Sequence, residues 1–148
     1  MITIKTNIPG FTQSMLNKIE KLRDRETMLR PIATELIPLM TERIHQNGED
    51  KDNQAIGTYS KGYLKFRQKN KRNADPKIIV SLTRQLENDW SVIATEKGYG
   101  IGFLNSFNLQ KARWVEAVKH SKIFQLSASE LQYAKDRITE IAHATLNQ

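Results

Sequence analysis

The stretch Trp90-Ser91-Val92-Ile93-Ala94-Thr95-Glu96-Lys97-Gly98-Tyr99-Gly100-Ile101-Gly102-Phe103-Leu104 decides the fold class. Two β-prone runs, Trp90 to Thr95 and Tyr99 to Leu104, flank a Glu96-Lys97-Gly98 turn, which is a hairpin signal. Gly100 and Gly102 alternate in the second run, where glycine marks a bend or a close approach of backbones. Just upstream, Ile78, Ile79, Val80 and Leu82 are also β-prone.

Outward from the hairpin the periodicity becomes helical. Met15, Leu16, Ile19 and Leu22 place a helix over residues 11–25. Leu29, Ile32, Ala33, Leu36, Met40 and Ile44 share one face of a second helix reaching about Gln46. Pro31 suits its first turn and Pro38 should kink it, because proline removes an amide donor and crowds the preceding turn. Asn47-Gly48 stops it. Residues 1–10 are expected to be an N-terminal arm ended by Pro9-Gly10. On the other side, residues 109–119 read as a helix with Ala112, Val115 and Ala117 or Val118 inward. Ser127-Ala128-Ser129-Glu130 is a capping box opening a last helix with Leu131, Ala134, Ile138, Ile141 or Ala142, and Thr145 on its inner face. The expectation is one α+β domain over residues 1–148: N-terminal helices, a central antiparallel β-hairpin or small sheet, and a C-terminal helix.

The net charge is +7, and residues 61–77 hold Lys61, Lys65, Arg67, Lys69, Lys71, Arg72 and Lys77 against Asp75 alone, so this segment carries +6. Such a block suits a polyanion or an acidic protein surface, and equally a solvated loop. Ser60 is placed to cap a short helix bearing Tyr63, Phe66 and Arg67. Tyr59, Tyr63 and Phe66 fall on one face, interleaved with cations. That arrangement fits bases and phosphates, or a neighbouring subunit with aromatics inward and charges at the rim. Both readings stay open on these residues alone.

Signals for catalysis are few. The chain has no cysteine, which excludes disulfides, zinc–thiolate sites and cysteine nucleophiles. His45, His120 and His143 are far apart and form no ligand pair; His45 and His143 sit near expected helix C-termini, where positive charge is favoured. Gly98-Tyr99-Gly100-Ile101-Gly102 lacks the Lys-Ser/Thr of a phosphate loop and belongs to the hairpin. Glu87 and Asp89 are a candidate carboxylate pair that reads better as opposite-face alternation along a strand or as exposure near a turn, and Trp90 and Trp114 read as core anchors. Met1 to Lys5 lacks the apolar run of a signal peptide, and no window has the ~18 apolar residues of a membrane span. The expectation is a soluble chain made in the cytoplasm, not an enzyme, with no cofactor, no metal and no membrane partner.

Four motifs in order carry a resemblance over roughly residues 29–146. Arg43-Ile44-His45-Gln46-Asn47-Gly48 ends a long helix. Ile56-Gly57-Thr58-Tyr59-Ser60-Lys61-Gly62-Tyr63, followed by Arg67, matches an IGxYSxxYxxxR pattern. Leu82-Thr83-Arg84-Gln85-Leu86 precedes the hairpin. Lys122-Ile123-Phe124-Gln125-Leu126-Ser127 precedes the capped last helix. Together they resemble the phage virion morphogenesis family, the tail completion and head–tail joining proteins. Arg84 departs from the glycine usual there, which implies a different or strained turn.

The resemblance implies a structural virion protein: a homo-oligomeric ring in the phage neck, six-fold with twelve-fold as the alternative, between the head connector and the tail terminator or tail tube. It implies that residues 48–77 form an extended basic, aromatic arm, anchored on a neighbouring subunit by Tyr59, Tyr63 and Phe66 and ordered on assembly. Lys65, Arg67, Lys69, Lys71 and Arg72 would then meet acidic partner surfaces, or DNA in the channel. The alternative is a small nucleic-acid-binding protein using residues 59–72.

Overall fold

The computed structural model describes residues 8–148. In chain order it comprises helices α1 (Ile8–Arg23) and α2 (Arg25–Thr41), a π-helical turn (Glu42–Asn47), and helices α3 (Lys61–Lys69) and α4 (Gln85–Asn88). Strands β1 (Trp90–Thr95) and β2 (Gly98–Phe103) follow, then helices α5 (Ser106–Lys119) and α6 (Ala128–Leu146). This is an α+β domain whose two strands pair antiparallel, with Trp90 opposite Phe103 and Thr95 opposite Gly98. The hairpin is where the sequence puts it, with Glu96-Lys97 at its tip and Gly98 opening β2 at φ 137°. Gly102 is a true close approach: a Cβ there would stand 2.9 Å from Ile93 Cδ1.

Other expectations need correction. Residues 1–7 lie outside the described residues, but Ile8, Pro9 and Gly10 already belong to α1, so Pro9-Gly10 does not end an arm. Pro31 is in the interior of α2, which starts at Arg25. The β-prone run at 78–82 forms no strand; only Lys77 bridges to Thr58. In α5 Ala112 is buried, but Ala117, Val118 and Trp114 are exposed, so Trp114 is not a core anchor.

The core joins Met40 and Ile44 to Ile56, Ile78, Trp90, Phe103, Ala112 and Ile123. Trp90 packs on Phe103 at 4.5 Å between ring centroids and on Phe124 at 5.9 Å. The helix end facing this core is wide. In the π-helical turn three successive residues, Arg43, Ile44 and His45, are all buried. A regular amphipathic helix cannot bury three in a row on one side, and the wider turn brings them inward together. Gly48 closes the turn at φ 69°, its N–H donating to Arg43 O.

Arg43 is the hub of the lower half of the molecule. Its Nε and Nη2 donate to the Glu130 carboxylate at 2.7 and 3.2 Å. Nη1 donates to Glu49 O and Ile123 O, and Nη2 also to Gln125 O. Glu130 in turn accepts from Ser127 N at 2.7 Å, completing the capping box expected for α6. One guanidinium thereby ties α2, the 49–55 loop, the 123–125 segment and α6. A second tie between α2 and α6 is exposed at its edge: Arg137 and the Tyr133 hydroxyl both donate to Glu35. These bonds, that from Arg137 foremost, hold the Glu35 carboxyl below its ordinary range.

Candidate functional site

The basic, aromatic segment is folded onto the domain, not extended. Ile56 is in the core, and its N–H donates to Gly48 O at 2.9 Å. Tyr59 N donates to Pro76 O, and Ile78 N to Gly57 O, so residues 56–59 and 76–78 run side by side. Lys51 N donates to Lys122 O, and the Ser121 hydroxyl to Asp50 at 2.6 Å. Ser60 caps α3 as its sequence suggests, accepting from Tyr63 N.

Arg67 is the largest departure from the sequence reading. It is 2% exposed, so it is not a surface contact for a polyanion. Helical spacing carries it under Tyr63, and Tyr59, just before the Ser60 cap, covers it as well: its guanidinium carbon lies 4.8 Å from the Tyr59 ring centroid and 5.6 Å from that of Tyr63. Such cation–π contacts strengthen as water is removed. Its Nε donates to Asn73 O and its Nη2 to Ser81 O at 2.8 Å. The cation therefore clips the loop after α3 to the body of the domain. The signal that could have found it is in the sequence: an aromatic four residues before an arginine shares one helical edge with it, as Tyr63 does with Arg67.

The remaining candidates divide. Tyr59 and Tyr63 are half-buried, and Phe66, stacked on Tyr63 at 5.8 Å, is about half exposed. Lys65, Lys69, Lys71 and Arg72 are all exposed around α3 and its following turn. The tyrosine faces are thus partly covered by the chain's own arginine, while four cations face solvent.

Beside this cluster lies a cleft of about 490 Å³. Tyr59, Tyr63 and Arg67 line it together with Lys111, Val115 and Lys119 of α5 and the 80–86 turn. Two residues of that turn have left-handed backbones, Val80 at φ 48° and Arg84 at φ 61°. A β-branched residue there is an outlier. Arg84 adopts a left-handed backbone that glycine would take freely, so the turn is strained, at about 1–2 kcal/mol. Its Nε pairs with Glu87 at 2.9 Å.

His45 is not a charged group at a helix end. Its Nε2 accepts from Trp90 Nε1 at 3.2 Å and its Nδ1 faces Ile79 O at 3.2 Å, which fixes the neutral ring with the proton on Nδ1. Burial lowers its pKa, outweighing the pull of Glu87 3.9 Å away. The unfolded imidazole takes up a proton near pH 6.5 while the folded one resists it, so below that pH the unfolded chain binds more protons and stability falls. Urea midpoints should drop between pH 7 and 5.5, before Glu35 and Asp50, whose pKa values are lowered, come into play. A flat profile over that interval would mean that the folded imidazole is charged.

Among the described residues no group of three His, Asp or Glu side chains is placed to hold a metal, and no helix is long and apolar enough to cross a membrane. A last feature is an apolar stripe. Leu104, Phe107, Trp114 and Val118 are 73%, 69%, 58% and 71% exposed. The last three recur at seven and four residues along α5, one face of the helix.

No family model matches the chain, and no curated protein or solved structure matches it. Function therefore rests on the motifs and the geometry.

Proposed function

We propose that this chain is a structural subunit of a phage neck, a tail completion or head–tail joining protein that assembles into a ring between head connector and tail. The α5 stripe carries the reading: a single copy leaves three large apolar side chains of one helical face in water, an arrangement that marks an interaction surface. A closed ring needs two different surfaces on each subunit. On α1 and α6, Leu16, Ile19, Leu131 and Ile138 are exposed and offer the second. The segment 48–77 is already packed on its own core, so assembly in this reading does not wait for it to order. Its place as the clasp passes to α5. The motifs that resemble the family fall on the π-helical turn, the Tyr59–Tyr63–Arg67 stack, the strained turn and the α6 cap, all of them parts that build the domain.

The test is the mass of the protein in solution over a range of concentrations, for the wild type and for Trp114→Glu and Phe107→Glu. The wild type should reach a ring-sized species, six copies or twelve, and each variant should remain a folded monomer. A wild type that stays monomeric at all concentrations, or a ring indifferent to both substitutions, would overturn the assignment of the interface to α5.

The nucleic-acid reading keeps one observation, the exposed Lys65, Lys69, Lys71 and Arg72. It loses the stacking platform, because Arg67 lies against Tyr59 and Tyr63 and only Phe66 remains well exposed. The neck reading is the stronger for that reason.

A further inference from the structure

We propose that the cleft between the Arg67 stack and α5 binds a small amphipathic carboxylate. The anionic head would lie against Arg67, Lys111 and Lys119, and an apolar body would rest on Val80, Leu86 and Val115.

Three independent features converge on that ligand. First, the volume, about 490 Å³, is that of small-molecule sites, and the walls are mainly apolar. Second, the charges that line it are all of one sign. Arg67, Arg84, Lys111 and Lys119 line the cleft and no carboxylate does. Arg84 is engaged by Glu87 behind it, and Lys111 by the Gln85 side-chain oxygen, a neutral partner that a carboxylate would displace or share. Among the described residues Lys119 has no hydrogen-bond partner for its ammonium group.

Third, Arg67 is buried with its Nη1 lacking any acceptor. A buried donor in that condition costs about 1–3 kcal/mol. Its two other nitrogens are held by Asn73 O and Ser81 O, so the guanidinium is fixed in place before any ligand arrives. One oxygen of a carboxylate is an acceptor for the remaining Nη1, and hydrogen bonds between ionised partners are the strong ones. The strained Val80 and Arg84 sit in the turn that closes the cleft, as strained residues tend to do at ligand clamps.

Such a head-and-body group comes from a free acid or from the C-terminal carboxylate of a polypeptide. Calorimetric titration of the full chain separates them with four probes: 2-naphthoate, the neutral 2-naphthol, acetyl-Ala-Ala-Phe with a free carboxyl, and its amide. One of the two acids should bind with unit stoichiometry and at least about tenfold more tightly than its uncharged counterpart. Preference for naphthoate assigns a free acid, and preference for the peptide acid a chain terminus. The pair Lys111→Glu and Lys119→Glu, both partly exposed and outside the core, should weaken the acid by about tenfold or more while the far-ultraviolet spectrum is kept. Trp114→Glu should leave it unchanged, which separates this site from the ring interface. Equal affinity for acid and neutral analogue, binding indifferent to both lysine substitutions, or no binding at millimolar probe would overturn the proposal.

Discussion

Arg43→Ala should lower the unfolding free energy by about 3–5 kcal/mol, the loss found when one partner of a buried ion pair is removed. For a domain stabilised by only about 5–15 kcal/mol, that is a large share. The cause is not Coulomb attraction alone. All five guanidinium donors have acceptors: the two Glu130 oxygens and the carbonyls of Glu49, Ile123 and Gln125. Alanine would leave the Glu130 carboxylate 5% exposed without its cation, and would orphan three carbonyls drawn from two separate segments. The usual remedy, replacing both ions by apolar residues, should therefore fail here. Arg43→Met with Glu130→Leu restores volume but not donors for those carbonyls, and it removes the acceptor of Ser127 N. Urea denaturation of the single and double variants reads this directly. A loss under about 1 kcal/mol for Arg43→Ala, a surface-pair value, would show that water reaches the guanidinium. A double variant as stable as the wild type would show that the carbonyls find other donors.

Gly48→Ala is the second large effect, about 3 kcal/mol destabilising. Two costs add. The residue sits at φ 69°, where a side chain costs about 1–2 kcal/mol. Its Cβ would also stand 2.4 Å from Ile78 O and 2.9 Å from Lys77 Cγ. The oxygen is backbone and cannot swing aside, because Ile78 N is held by Gly57 O and the Ile78 side chain is in the core. Overpacking of this kind adds about 1–3 kcal/mol. Gly62→Ala is the internal control: nothing lies within 4 Å of its Cβ position, and it is inside α3, where alanine is favoured by about 0.5–1 kcal/mol. If thermal melting ranks Gly48→Ala no lower than Gly62→Ala, the close crossing of Gly48 and Ile78 is absent in solution.

The parts of this fold that are legible in the chain are those whose cause is local. The hairpin follows from alternation and a two-residue turn. The Ser60 and Ser127 caps follow from a hydroxyl three residues before the amide it accepts from. The parts that escape reading depend on what the tertiary structure does with charge. Arg43, His45 and Arg67 look like solvent-facing groups in any composition-based reading, and all three are buried: partners far along the chain receive Arg43 and His45, and Tyr59, Tyr63, Asn73 and Ser81 enclose Arg67. Arg67, together with Ile56 in the core, turns a supposed arm into a packed flap. Trp114 errs the other way: size suggests the interior, but its neighbours Ala112 and Val115 already fill the inward side of α5. The candidate site was thus half visible. The aromatic and basic residues are grouped as the sequence suggests, but the cleft exists only because α5 folds back beside them.

The π-helical turn has a consequence for chain length. A turn of this kind is one residue richer than the α-helix that would span the same rise, and here the extra residue is what lets Arg43, Ile44 and His45 all point inward. Deleting a single position within 42–47 would restore ordinary winding, in which three successive residues spread over about 200° of the helix and Arg43, Ile44 and His45 no longer all point inward. An alignment of related chains should therefore show no gaps across this short window. Gains and losses of residues should collect instead at the Asp52–Asn53 tip, which is open to solvent and bears no buried side chain.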